Sequence, residues 1–175
     1  MTPHRRLLAL LAAAVVVGAC TGTTRTTFPP LGSTPAPAGN ANVATVGLVI
    51  DALSAVGLPG IEANRQYRPP EGALLAAAPR SVVQATLPDD PAHGFIVIYA
   101  LATDAAAQAA AEDQAAYIES GPGRVQFTTD AHFSLRVLGS SVVFFWWSPG
   151  AALDARTVSI ETALLKVGLE VSVRA

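Results

Sequence analysis

The side chains able to do chemistry are few in this chain of 175 residues, and none falls into a catalytic spacing. His93 closes the stretch "DDPAH" behind Asp89 and Asp90, and His132 follows Asp130 by two residues. The third histidine, His4, lies beside the amino terminus. A metal site needs three or more converging ligands, and no HxH, HExxH or Cys-His spacing occurs. The expectation is no metal and no cofactor, with turn chemistry accounting for the aspartates. Gly139-Ser140-Ser141 sits between two strand-like runs and lacks the strand-to-helix elbow that exposes a nucleophilic serine. Glu112 and Asp113 are neighbours on a helical stretch, so their carboxylates diverge and cannot share acid/base work. Gly121-Pro122-Gly123 lacks the strand before and helix after that a phosphate loop needs. Nothing in the set predicts an enzyme.

Two stretches could bind rather than react. In "VVFFWW" (142–147) Val142, Phe144 and Trp146 share one face of a strand, and Val143, Phe145 and Trp147 share the other. Both faces are apolar, which fits a strand covered on both sides. It also fits an open face or groove for an apolar ligand or a partner, with Trp146 and Trp147 as its contacts. The second stretch is "NRQYRPPEG", where Arg65, Tyr67 and Arg68 precede Pro69-Pro70 in a long connection. Loops held by a rigid scaffold commonly carry binding sites. Surface arginines beside a kinked connection would look the same.

The elements that would position these residues follow from periodicity. Residues 43–57 space Val46, Val49, Ile50, Leu53 and Val56 as a helix does, ending at Gly57 and Pro59. Residues 60–80 read as a connection. "SVVQATLP" (81–88) and "GFIVIYALA" (94–102) read as a strand hairpin around "DDPAH". Thr103 or Asp104 then caps an alanine-rich helix to about Ile118, ended by "SGPG". "RVQFTTDAHFSLRVLG" and "SSVVFFWWS" form a second strand pair, and 154–168 a last helix. The tail "LEVSVR" alternates and could add a short strand. The predicted class is α+β: a helix followed by two ββα units, with a four-stranded, mainly antiparallel sheet packed by helices.

The front of the chain has a separate logic. Arg5 and Arg6 precede an apolar run of eleven residues, Leu7–Val17, followed by Gly18-Ala19 and the only cysteine, Cys20. The run is too short to span a bilayer, which takes ~20 residues, and has the anatomy of an export signal. Val17-Gly18-Ala19-Cys20 resembles the lipobox of bacterial prolipoproteins, departing from the commonest form, which has Leu in the first position. The resemblance implies cleavage before Cys20, a diacylglyceryl group on its thiol and an acylated new amino terminus. Two or three acyl chains anchor stably at ~0.8 kcal/mol per buried methylene. On this reading 1–19 is the signal and 20–41 a Thr/Pro-rich tether. The globular domain is then 42–175. The tether lacks the apolar surface to offset its ordering entropy, and extended prolines give it ~3 Å of reach per residue.

The chain has eleven basic residues; without Arg5 and Arg6 nine remain against thirteen acidic ones, a net charge near −4. That balance argues against nucleic acid and against adhesion to anionic lipids. The layout of 43–168, clearest at "LGSSVVFFWW" followed by a helix, resembles small uncharacterised bacterial lipoproteins, and transfers no activity or site residues. The sequence thus predicts a membrane-anchored, extracytoplasmic, non-catalytic domain that engages an envelope protein. The alternative is a binding module for a small apolar or lipid ligand.

Overall fold

A computed structural model describes residues 40–64 and 66–174. The expected signal, Cys20, the tether up to residue 39 and Arg65 lie outside these residues. The chain runs α1 (Asn40–Ser54), β1 (Gly60–Glu62), α2 (Ala73–Ala77), β2 (Arg80–Ala85), β3 (Phe95–Ala100) and α3 (Asp104–Glu119). It continues through α4 (Gly121–Arg124), β4 (His132–Leu138), β5 (Ser141–Trp147), α5 (Thr157–Leu164) and β6 (Leu169–Glu170). Among the described residues this is an α+β arrangement of five helices and one six-stranded sheet in the order β1-β2-β3-β5-β4-β6. Every neighbouring pair is antiparallel.

The expected four strands are the central ones; the sheet has two more. The extra strands are short and at the edges, where β1 has three residues and β6 has two. Neither is long enough to show a period, although β6 begins in the alternating tail. The expected strand from Arg124 is also shorter than read. Ser120 accepts from the Gly123 amide and Pro122 sits in the first turn, so "SGPG" starts α4 while ending α3. β4 begins only at His132.

Both faces of the sheet are covered. On one, Val46, Val49 and Leu53 of α1 and Ile160, Ala163 and Leu164 of α5 pack on Ile96, Ile98, Val143 and Phe145. On the other, Ala107, Ala110, Ala111 and Ile118 of α3 pack on Val97, Tyr99, Val142 and Phe144. The alanines let α3 lie close to the sheet while large strand residues fill the volume between. Of the aromatic run, Phe144 and Phe145 are core residues of opposite layers. The open-face reading of "VVFFWW" therefore fails for its first four residues, and only Trp146 and Trp147 are half-buried.

Arg136 fastens the far edge. Its side chain is buried, and it donates to the carbonyls of Val167 at 2.6 Å, Gly168 at 3.0 Å and Leu165 at 3.2 Å. A guanidinium at the carbonyl end of α5 satisfies acceptors the helix leaves open. The chain then turns into β6 at Gly168, whose φ is +62° and where a Cβ would fall 2.3 Å from the Val137 carbonyl oxygen.

Candidate functional site

β5 pairs with β4 out to His132↔Trp147, whereas its register with β3 runs only between Val97↔Phe144 and Ala100↔Ser141. Beyond the Val97↔Phe144 pair a cleft opens at the end of the sheet. Gly94 and Phe95 line one side, Trp146, Trp147 and Ser148 another, with Tyr67, Asp90 and His93 also contributing. Its cavity volume is about 70 Å³, or about 490 Å³ of unfilled space when the open mouth is counted. Ligand pockets for drug-sized molecules run to ~300–1,000 Å³. This recess fits the end of one side chain or a few waters, and it is not a closed chamber for an acyl chain.

Two consecutive residues on opposite faces of a strand both reach the cleft because it lies at the strand end. Trp146 donates its indole N–H to the Tyr67 hydroxyl at 3.1 Å and meets Phe127 edge-on with centroids 5.3 Å apart. Tyr67 in turn stacks on Phe95 at 4.7 Å with 24° between planes. Burial pushes the Tyr67 phenol up from its ordinary pKa, partly offset by the Trp146 bond. Trp147 lies 5.0 Å from the His132 ring. Its indole nitrogen is buried with no hydrogen-bond partner among the described residues. An unpaired buried donor costs ~1–3 kcal/mol, so Trp147 sits in the cleft wall at a penalty.

Tyr67 is carried by the long connection between β1 and α2, and its flank is pinned. The Gln114 side chain, buried on α3, accepts from the Gly72 amide at 2.7 Å and donates to the Pro70 carbonyl at 3.2 Å. Glu71, with a side chain 2% exposed, accepts from Arg68 at 2.9 Å and from the Tyr99 hydroxyl at 2.7 Å. Burial first, and then the Glu71 charge, hold the Tyr99 phenol well above its usual pKa. Arg68 thus turns to Glu71 and to the Ala76 carbonyl, away from the cleft. Of the predicted binding residues, Tyr67, Trp146 and Trp147 come together and Arg68 does not.

Three aspartates frame the cleft by tying loops together. Asp90 is buried, contacting His93 Nδ1 at 2.5 Å and accepting from the Leu153 amide at 3.1 Å. Asp130 accepts from the Ser148 hydroxyl at 2.7 Å and the Gly150 amide at 2.8 Å. Those bonds, with a further one from Thr128, bring its carboxyl down to about 2. Asp154 is gripped by the Arg156 guanidinium and accepts from the Asp89 amide at 3.3 Å. The Arg156 bonds hold its carboxyl well below the usual carboxylate range. Turn chemistry was the sequence explanation for the first two. The structure assigns them longer-range work, since Asp90 reaches a residue 63 positions away and Asp130 one 18 away.

The other candidates stay apart. The Ser141 hydroxyl accepts from Thr45 at 3.1 Å at the start of β5, the opposite end of that strand from the residue paired with His132. His132 is half-exposed and 3.8 Å from Glu161. The Asp113 carboxylate accepts from the Leu74 amide at 3.3 Å, while Glu112 takes a bond from Gln108. Among the described residues no group of three or more His, Cys, Asp or Glu side chains is placed to hold a metal ion. No described helix is long and apolar enough to cross a membrane. Comparison with protein families, characterised proteins and solved structures gives no match.

Proposed function

We propose that this chain is a lipid-anchored, extracytoplasmic, non-catalytic domain that engages a protein of the cell envelope through the cleft at the end of β3 and β5. The observation that carries the binding part is the convergence of Tyr67, Trp146 and Trp147 on one small recess from separate parts of the sequence. A recess of about 70 Å³ suits a single protruding side chain, the way one protein seats an anchor residue of another. The anchoring part rests on Val17-Gly18-Ala19-Cys20 and the apolar run before it. Confinement to a layer above the membrane raises the domain's effective concentration for membrane neighbours.

A second reading, a binding module for a small apolar ligand, draws on the same cleft because it is concave rather than flat. The two readings separate in one experiment. Full-length protein carrying Trp146→Ala is extracted from its own membranes beside the wild type, and bound species are weighed intact. A protein lost with the variant supports the first reading, and a small mass lost with it supports the second.

A further inference from the structure

The cleft combines aromatic rings with negative charge, and the described lining contains no lysine or arginine. Asp90 lies in the lining, and Asp130 is bonded to the lining residue Ser148. Among the described residues, the arginine bonded into this frame is Arg156, and it is spent on Asp154. Besides Asp90, the described lining has two further ionisable groups, Tyr67 and His93, and the His93 Nδ1 is held by Asp90. Aromatic faces carry negative π-density that attracts cations, and arginine is the side chain most often found there. A guanidinium is also planar and weakly hydrated, so it enters a narrow aromatic recess at lower cost than an ammonium.

We infer that the group seated in this cleft is the arginine side chain of a partner protein, received by Tyr67, Phe95, Trp146 and Trp147 and balanced by Asp90 and Asp130. The inference rests on the binding reading above and names the chemistry of what enters. Charge complementarity supports it at two ranges: the cleft's carboxylates nearby, and the acidic balance of nine basic to thirteen acidic residues beyond the signal at a distance.

The test uses full-length protein and two peptides, Ala-Ala-Arg-Ala-Ala and the same peptide with citrulline, both blocked at their ends. Citrulline keeps the shape of arginine and lacks its charge. The chain has two tryptophans and both line the cleft, so intrinsic emission reports on this site. The arginine peptide should shift the emission saturably and bind about tenfold more tightly than the citrulline peptide. Tyr67→Leu, which keeps both tryptophans, should weaken the arginine peptide about tenfold while circular dichroism stays unchanged. Equal binding of the two peptides overturns the arginine assignment and leaves an apolar anchor as the occupant. No shift with either peptide overturns it as well, with the cleft then judged by the membrane extraction. Binding unaffected by Tyr67→Leu in a folded variant overturns it too, because the peptide then sits elsewhere.

Discussion

At the scale of single residues, the cleft depends on polar groups whose partners are distant in sequence. Tyr67→Phe leaves the Trp146 N–H without its acceptor, and should cost ~1 kcal/mol in urea unfolding with a shift in tryptophan emission. Asp130 gives a pH prediction with a definite sign. Its carboxyl is brought from 3.8 to about 2 in the folded chain, so folding binds fewer protons than the unfolded state between those values. The stabilisation is fully present above pH 3.8 and disappears as pH falls through about 2. Thermal melts taken from about pH 5 downward should lose less stability in Asp130→Asn than in the wild type. An identical acid limb in both would show that Asp130 does not ionise differently on folding. Tyr67, Trp146 and Trp147 could be picked from the sequence because aromatic side chains in a polar loop and at a strand end stand out. Asp90 could not: "DDPAH" reads as a turn, and no local pattern records a bond to Leu153. Arg68 was misleading for a different reason: its partner Glu71 is only three residues on, and the pair turns the guanidinium to the buried Glu71 carboxylate rather than to the cleft.

At the scale of elements, the long central elements were legible and the short edge ones were not. The period of α1, the alanines of α3 with Thr103 as its cap, and the apolar runs of β2, β3 and β5 each span enough residues to show their repeat. α2, of five residues, is held by contacts that no window of sequence contains, and α4, of four, has a local cap in Ser120 but is too short to show a period. Gln114 illustrates this: it is a helix residue whose amide organises residues 70–72 from 42 and 44 positions away. Arg136 is the comparable case at the far edge. Arg136→Leu should cost ~3 kcal/mol by stranding the carbonyls of Leu165, Val167 and Gly168. Hydrogen exchange should then quicken first at the Val171 amide, which bonds to the Leu135 carbonyl beside β6. Uniform loss of protection across the sheet would contradict a local clasp. Gly168→Ala should fail at the same corner, because any Cβ there meets the Val137 carbonyl.

At the scale of the whole molecule, an antiparallel sheet with helices on both faces explains why the aromatic run is apolar throughout. Phe144 and Phe145 serve different layers and are each 1% exposed, so each truncation to alanine should cost ~3–5 kcal/mol. Trp146→Ala, at the half-buried strand end, should cost less and leave a cooperative unfolding transition by calorimetry. That difference makes Trp146→Ala usable as a probe of function. The measurement that bears most directly on the account is intact-mass analysis of full-length protein extracted from its own membranes, comparing wild type with Trp146→Ala. The account predicts a chain beginning at an acylated Cys20, with a stoichiometric protein partner present on the wild type and missing from the folded variant. An unmodified Cys20 would contradict the anchor, and a partner retained equally by the variant would contradict the cleft.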